Sequence, residues 1–523
     1  MRTRTTRGSE RRRLPGQERG KRGAFWAMMI VVFLAAMDST VVATVLPAIP
    51  AELGSSGLLA WVVTSYLLTT AVSIPLWGKA ADLTSRRRLY LVATAVFLLG
   101  SLGVASAPNM TVLLAARAVQ GTGTGGLMAL TPTIIGQMFA SRIRGRFHGI
   151  QGAVLAGASI VGPLVGGFLE AALGWRWAFW INLPLVLPAL LIAGRFLPAP
   201  EARAGKRRID LVGAALLAIG ASAFLLALSE GTPFASAGSR AVLLAAAAVT
   251  VPVYLLRQAR HDDPVLPLRV LRSPVVAAAV GLSFISGAVM IAAVVHAPLY
   301  AQTVQERSAA SAGLLLLPLT GGVLVANLAG GNLITWVGRY RPFLIGGTAA
   351  TTTGFGVLAT AGAATGIGPF TAALALVGIG IGLTMQPSVL ALQNAVSAAD
   401  LGSATAASTF FRQLGSTLSI GALGGLLTGR VGPQLSAITE GAGEVTAAAR
   451  SQVATAFGDL FLILTMVAVV AFLLALLLPE KPLAESTSAE ETAEETPGEA
   501  AVEAAAEATG EGRAVDRPRN ARC

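Results

Sequence analysis

Fourteen stretches of about 20 apolar residues limit the fold of this chain more than any other feature. A helix of about 20 residues crosses the hydrocarbon core of a bilayer, which is roughly 30 Å thick. The stretches are rich in Ala, Gly and Leu and do not alternate with a period of two, so they predict a helical bundle rather than a β-barrel. The predicted spans are 25–49, 58–78, 89–107, 112–136, 149–171, 176–196, 210–229, 240–256, 274–300, 309–332, 341–363, 369–391, 404–428 and 457–478.

The composition agrees with this prediction. Of the 523 residues, 54% are hydrophobic and only 13% are charged, which is far more apolar than an ordinary soluble protein. We therefore expect an all-α membrane protein. The formal net charge of +12 would suit a nucleic-acid partner, but the basic residues concentrate near the N-terminus and in short loops. That distribution is typical of orientation in a bilayer, so no nucleic-acid partner is expected.

The basic loops predict how the spans are oriented. Lysine and arginine accumulate in the cytoplasmic loops of membrane proteins. Counting spans from a cytoplasmic N-terminus places on one side the loops that contain Lys79, Arg86, Arg87, Arg88, Arg142, Arg144, Arg146, Arg203, Lys206, Arg207, Arg208, Arg257, Arg260, Arg269, Arg272, Arg339 and Arg341. We expect a multi-pass protein of the cell membrane, inner or plasma, with both termini in the cytoplasm.

The two ends of the chain have opposite character. Residues 1–23 form a basic cytoplasmic arm that resembles a signal peptide, but the apolar run after it is too long and lacks a cleavage site. Residues 479–523 are rich in Ala, Glu and Thr and contain no aromatic residue, so they predict a disordered acidic cytoplasmic tail.

A sequence repeat divides the spans into two sets of six. Residues 78–88, after the second span, resemble residues 331–341, after the tenth, although Thr335 stands at the position of Asp82. Three alternating glycines at 121–125 in the fourth span likewise match those at 378–382 in the twelfth. The predicted domains are an N-terminal six-helix bundle at 24–200, two extra transmembrane helices with a cytoplasmic linker at 201–272, and a C-terminal six-helix bundle at 273–478.

Metal, disulfide and nucleotide chemistry are not expected. The single cysteine is Cys523, and the histidines His148, His261 and His296 are dispersed. There is no P-loop signature, so ATP hydrolysis is not the expected energy source. An intramembrane enzyme would need a second convergent catalytic group, and the spans offer none. We predict no cofactor and no enzymatic activity.

Asp38, well inside the first span, is the leading functional candidate. A carboxylate in hydrocarbon costs on the order of 3 kcal/mol, so it persists only where it is paired, hydrated or needed. Duplicated helices, glycines and prolines within the spans and an intramembrane acid together predict an alternating-access transporter with its site between the halves. The alternative is a structural acid at a contact between helices.

Several motifs occur in the order known from one transporter family. They are residues 37–47 with Met37-Asp38, 78–88 with Gly78 and Asp82, 116–123 with Arg117 and Gln120, 149–167 with Gly162-Pro163-Leu-Val-Gly166-Gly167, 174–184, 263–269 and 412–415. The chain thus resembles the drug:proton antiporters of the major facilitator superfamily, in the fourteen-span branch. Ser85 and Ala158 stand where that family usually has glycine.

The resemblance implies both a fold and a function. The fold is that of the major facilitator superfamily, two six-helix bundles plus two extra helices, in a monomer embedded in the bilayer. The function is proton-coupled multidrug efflux by antiport, with protons and a small-molecule substrate as partners and antibiotic resistance as a consequence.

Helix geometry places Asp38 and Arg117 at a common depth. Asp38 lies about 21 Å from the inner side, and Arg117 lies about 9 Å below the outer surface. A neighbouring arginine favours the charged carboxylate and desolvation favours the neutral acid, so changing water access can load and release a proton. The alternative is a fixed ion pair that only holds two helices together.

Two further groups of residues are predicted to move. Gly162, Pro163, Gly166 and Gly167 form a gating seam in the fifth span, with static close packing as the alternative. The predicted conformational latch consists of Gly78, Asp82, Arg86 and Arg87, in which Asp82 binds a helix N-terminus or an arginine in one state and releases it in the other.

A substrate cavity between the halves would need apolar walls with a few polar groups. The candidates are Trp61, Tyr66, Gln120, Phe284, His296, Met385 and Gln386. Core packing and interfacial positions explain aromatic residues equally well. Gln386-Pro387 is also expected to break the twelfth span.

The predicted function is proton-coupled efflux of small amphipathic molecules, drugs or toxic metabolites. Two alternatives stay open at this point. One is a proton-coupled metabolite or lipid transporter on the same scaffold, and the other is a membrane sensor that does not transport. The tenth span lacks any acid, which argues against a site built for dications.

Overall fold

The computed structural model describes residues 15–54, 58–197, 210–228, 236–261, 263–265, 268–362, 365–439, 447–481 and 483. These residues are almost entirely helical and include no strand. Residues 1–14 and 484–523, which hold most of the predicted basic arm and acidic tail, lie outside the described residues.

The N-terminal half contains six long helices. They are α1 (Pro15–Val45), α3 (Leu59–Leu83), α4 (Arg86–Ala105), α5 (Met110–Met138), α6 (Ser141–Leu173) and α8 (Asn182–Phe196). The short helices α2 (Ile49–Leu53) and α7 (Trp177–Trp180) precede α3 and α8. Helix α1 already begins within the predicted arm.

Two more long helices and six of the C-terminal half follow. The extra pair is α9 (Leu211–Leu228) and α10 (Ala237–Arg260), followed by the short α11 (Leu268–Leu271). The C-terminal half consists of α12 (Pro274–Thr303), the short α13 (Ala309–Leu314), α14 (Leu316–Val337), α15 (Arg341–Ala359), α16 (Ile367–Ala395), α17 (Leu401–Thr439) and α18 (Ala447–Leu477).

Each predicted span coincides with one of these long helices. Eleven helical segments of the described chain are long and apolar enough to cross a membrane, and α5, α15 and α17 are the long helices outside that group. Helix α16 runs unbroken through Pro387, so the prediction of a broken helix there was wrong. A spanning helix tolerates proline because neighbouring groups satisfy the freed carbonyl.

Buried apolar side chains form two main cores. One draws its members from residues 24–197, and the other draws all but Ala156 from residues 282–483. The halves meet along two seams, α3 against α17 and α6 against α14. Glycine allows the two helices of each seam to approach closely. A Cβ on Gly78 would overlap the side chain of Ala406, and a Cβ on Gly149 would overlap Asn327 O.

The extra helices flank one of these seams. Helix α9 packs on α10 and also contacts α3 and α17. Asp210, just before α9, joins the pair because its carboxylate binds Arg257 Nη2 of α10 at 2.8 Å and caps α9 at Gly213 N at 2.9 Å. Burial would raise the pKa of Asp210, but the hydrogen bonds from Arg257 and Gly213 outweigh it and lower the pKa.

The start of the predicted tail is packed against the C-terminal half. Tyr340 Oη donates to Pro479 O at 3.3 Å and accepts from Lys481 N at 2.9 Å. The start of the disordered tail, predicted at residue 479, therefore lies a few residues too early in the chain. The reason is that a buried tyrosine hydroxyl needs partners, and the chain after α18 supplies them.

Candidate functional site

Asp38 lies in a closed network of side chains between α1 and α5. Its Oδ2 accepts from Arg117 Nη1 at 2.5 Å, and its Oδ1 accepts from Gln120 Nε2 at 2.8 Å. Arg117 Nη1 also donates to Gln120 Oε1 at 2.8 Å. Asp38 is 3% exposed, so the whole triad is out of contact with bulk water in this conformation. Both oxygens of the carboxylate are occupied.

The arginine of this triad is held from three further directions. Arg117 Nε donates to Val62 O at 3.1 Å, and its guanidinium carbon lies 4.1 Å from the centre of the Tyr66 ring. Phe179 covers it at 5.8 Å. A guanidinium keeps its protons in proteins, whereas a carboxyl group has both a protonated and an ionised form. Asp38 is therefore the member of the pair whose chemistry includes a second protonation form.

Tyr66 and Gln120, both predicted cavity residues, belong to this network instead. Tyr66 Oη lies 3.0 Å from Ala35 O and 3.1 Å from Thr124 Oγ1. Gln120 is fully buried. Gln120 is bonded to the ion pair, and the Tyr66 hydroxyl is bonded to the backbone of α1 and to Thr124, so these polar atoms already have partners in this conformation.

The predicted gating residues face two directions. A Cβ on Gly162 would overlap Thr40 Oγ1, and a Cβ on Gly166 would overlap Thr44 Oγ1, so these two glycines bring α6 against α1 beside Asp38. Pro163 is exposed, and Gly167 has nothing near its Cα that a Cβ would touch. Helix α6 continues through Pro163 without interruption.

Asp82 joins the two halves at the end of the bundle that carries Lys79, Arg86 and Arg144, here called the basic face. Its carboxylate accepts from Gly402 N at 2.7 Å and from Ser403 N at 2.8 Å, the first turn of α17. Arg86 lies 3.6 Å from the same carboxylate and donates to Ala398 O at 3.2 Å. A carboxylate at a helix N-terminus satisfies orphan N–H groups and the helix dipole.

Arg87, the remaining predicted latch residue, points elsewhere. Its Nη2 donates to Gly194 O of α8 within the N-terminal half. The hydrogen bond that the structure gives Arg87 therefore lies within the N-terminal half, and its membership of the latch stays a prediction. Successive residues at a helix start point in different directions, which the sequence pattern does not reveal.

A second polar contact between the halves was missed by sequence reasoning. His148 Nε2 lies 3.0 Å from Gln393 Oε1, and Gln393 Nε2 donates to Pro132 O at 2.9 Å. Thr405 Oγ1 lies 3.3 Å from the same nitrogen. These four residues connect α5, α6, α16 and α17 near the basic face. The sequence feature that could have indicated this contact is Gln393, an amide within the largely apolar helix α16.

The remaining cavity candidates are dispersed. His296 lines a cavity of about 570 Å³ between α3, α9, α12 and α17. Gln386 borders a narrow void between α6, α14 and α16, Phe284 packs against the C-terminal core, and Trp61 and Met385 are half-buried. Of the predicted cavity set, only His296 lines the larger cavity among the described residues.

Comparisons with known proteins agree with this architecture. The Major Facilitator Superfamily family model matches residues 28–420. An uncharacterized MFS-type transporter of Mycobacterium tuberculosis is 36% identical over 480 residues, which covers 88% of this chain and 70% of that protein. The multidrug transporter protein MdtP of Bacillus subtilis is 30% identical, covering 78% of this chain and 76% of its own.

A solved structure shows the same fold at low identity. The proton:xylose symporter XylE superposes with a TM-score of 0.62 at 16% identity, covering 89% of this chain and 98% of that one. Two six-helix halves, an intramembrane ion pair and these relatives lead to one assignment. The chain is a transporter that belongs to the major facilitator superfamily.

Proposed function

We propose that the protein exports small amphipathic molecules in exchange for protons, and that Asp38 carries the proton. The observation that supports this most is the buried triad of Asp38, Arg117 and Gln120. A charged pair that is 3% and 1% exposed is expensive to desolvate and is often no more stable than apolar packing. The presence of such a buried ion pair is expected where the function requires a titratable group.

The proposed cycle uses the two conformations of an alternating-access transporter. In the conformation described, Asp82 and the glycine seams hold the halves together at the basic face. The positive-inside rule makes that face cytoplasmic and both termini with it. A proton arriving from outside would neutralise Asp38 and weaken its hold on Arg117 and Gln120. Loss of that proton to the cytoplasm would restore the triad and permit substrate binding from inside.

Each named group has a defined part in this proposal. Asp38 binds and releases the proton, and Arg117 with Gln120 holds the charged carboxylate. Gly162 and Gly166 let α6 slide on α1, and Asp82 stabilises the state closed on the basic face. The protein would act as a monomer in the cell membrane, with a six-helix bundle at 24–200 and another at 273–478.

Everted vesicles test the direction of coupling. Respiration acidifies their lumen, and acridine orange fluorescence reports the gradient. An antiporter must alkalinise the lumen when a transported compound is added, so fluorescence is expected to recover with the parent protein and not with Asp38→Asn. Asp459→Asn, which removes an exposed acid from α18, is the matched control and is expected to behave as the parent. If adding the substrate acidified the lumen further, protons and substrate would be entering the vesicle together. That is symport, and it would refute the proposal.

A further inference from the structure

The cavity beside α9 combines residues of both halves with one of the extra helices. Its walls include Leu68 of α3, Leu225 of α9, Ile291 of α12 and Ile420 of α17. Its volume of about 570 Å³ lies in the range of 300–1,000 Å³ that is typical of small-molecule sites. On α17 it lies beyond residue 412, towards the end opposite the Asp82 contact.

His296 presents an unused hydrogen-bond acceptor at this cavity. The residue is 2% exposed, and its Nδ1 lies 3.0 Å from Ala292 O. A carbonyl oxygen can only accept, so Nδ1 carries the proton and Nε2 of the neutral ring has a free lone pair. Within the described parts of the chain, Nε2 has no hydrogen-bond partner. An acceptor in the wall of a largely apolar cavity is satisfied only when a ligand or a water supplies a donor there.

The other polar groups of the cavity narrow the ligand class. Ser416 Oγ donates to Gly287 O, and Thr417 Oγ1 donates to Gln413 O, so their protons are used within the protein. The described lining contains no carboxylate and no phenylalanine, tyrosine or tryptophan. A permanent cation would find there neither an opposite charge nor one of the rings that usually form cation–π contacts. Gln413 can offer both a donor and an acceptor.

We propose that this α9 cavity binds the transported molecule, which is neutral and amphipathic and donates a hydroxyl or amide hydrogen bond to Nε2 of His296. This proposal rests on the proposed transport function. It also gives the extra helix α9 a direct role, because Leu225 forms part of the apolar wall. The apolar body of the ligand packs against leucine and isoleucine, and the contact with Nε2 of His296 orients its polar group.

A matched pair of ligands isolates the hydrogen bond. 1-Naphthol and 1-methoxynaphthalene share one ring system, but only the first has an O–H donor. Equilibrium dialysis with the full chain in nanodiscs, corrected with empty nanodiscs, measures both affinities. The parent is expected to bind 1-naphthol about tenfold more tightly than the ether. Equal affinities would overturn the proposal.

Variants test which groups cause the preference. His296→Phe is expected to lose the tenfold preference and keep its affinity for the ether, whereas His296→Gln, which retains an acceptor, keeps a preference. Leu225→Trp is expected to weaken both ligands at least tenfold by filling the cavity. Val242→Trp on the exposed face of α10 is the control and leaves both affinities unchanged. A preference that survives His296→Phe, or binding that survives Leu225→Trp, would contradict the proposal.

Other occupants and a failure of the transport proposal give distinct results. If native mass spectrometry shows a retained phospholipid that Leu225→Trp releases, and neither naphthalene binds, the cavity is a lipid site and the proposal is wrong. The dialysis assay needs no proton gradient. If the preference for 1-naphthol depends on His296 but no proton exchange is observed, only the coupling role of Asp38 is refuted. If transport is coupled to protons but His296→Phe leaves the preference for 1-naphthol unchanged, only the assignment of the binding site to the α9 cavity is refuted. Thermal unfolding confirms that each variant is folded.

Discussion

Helices α5 and α16 occupy matching places in the repeat and carry different chemistry. Aligning their glycine triplets places Leu374 and Val377 of α16 at the positions of Arg117 and Gln120 of α5. Both apolar residues are fully buried in the C-terminal core. One half therefore holds a polar triad where the other is packed with hydrocarbon. At these matching positions the charged and polar side chains are confined to α5 of the N-terminal half.

The two seams between the halves show the same asymmetry. At the α3–α17 seam Asp82 reaches across to the first turn of α17. At the α6–α14 seam the matching residue, Thr335, donates to Gly331 O in its own helix at 2.9 Å. Both seams are closed by glycine contacts, but among the described residues only the α3–α17 seam has a carboxylate that bonds across it. Substitutions that remove these differences test the proposed function, and their expected effects on transport decrease from α5 to Asp210.

The largest effect is expected from making α5 resemble α16. The double substitution Arg117→Leu with Gln120→Val removes every donor to Asp38 and should abolish transport, a loss of more than 100-fold in vesicle assays. Removing one partner of a buried ion pair also destabilises a protein by about 3–5 kcal/mol, so the thermal midpoint in detergent should fall. Leu374→Ile, which conserves volume at the matching position, should leave both nearly unchanged. Retained transport by the double variant would contradict the account.

A smaller but still substantial effect is expected at the contact of α1 with α6. Gly162→Val places a side chain where Thr40 Oγ1 lies, so α6 must move away from Asp38. Transport should fall about tenfold and stability by about 1–3 kcal/mol, the usual cost of overpacking. Gly167→Val is the control, because a side chain at that position would meet no neighbouring atom. Equal effects of the two substitutions would show that helix propensity, rather than the α1 contact, decides.

Asp82→Asn should shift the balance of conformations rather than abolish transport. Hydrogen bonds to a charged group contribute about 1.5–3 kcal/mol, so weakening them should favour opening at the basic face. In a Cys523→Ser background, maleimide labelling of Ala407→Cys, a buried site of α17, should accelerate about tenfold. Thr335→Val, the matching change in the other seam, should not alter the labelling rate. Equal rates in all variants would argue against a latch.

The smallest effect is expected at Asp210, which lies outside both halves. Its folded-state pKa is lowered from 3.8, so its stabilising contribution is present above pH 3.8 and is lost as the pH falls through the lower folded value. Asp210→Asn should lower the thermal midpoint slightly near pH 7, because Arg257 is partly exposed, and should not affect transport. The midpoints of the two proteins should converge below pH 3.8. A transport defect would show that the extra helices couple to the cycle through this pair.

The sequence predicted the spans because hydropathy and helix length determine them locally. It also singled out Asp38 and Arg117, since a charge in an apolar span is conspicuous. It could not assign Gln120 to the triad or Arg87 to α8, because both depend on which way a side chain points in the packed bundle. His148 and Gln393 are 245 residues apart, and their contact depends on how the two halves dock. The prediction of a break at Pro387 failed because tertiary packing overrode local preference.

The central claim is that Asp38 couples protons to export, and proteoliposomes containing Asp38→Asn test it most directly. Such protein, shown to be folded by its elution profile, should still exchange labelled for unlabelled substrate across the membrane. It should carry out no uphill export under an imposed pH gradient, whereas Asp38→Glu should retain part of it. Uphill export by Asp38→Asn at the parental rate would contradict the account.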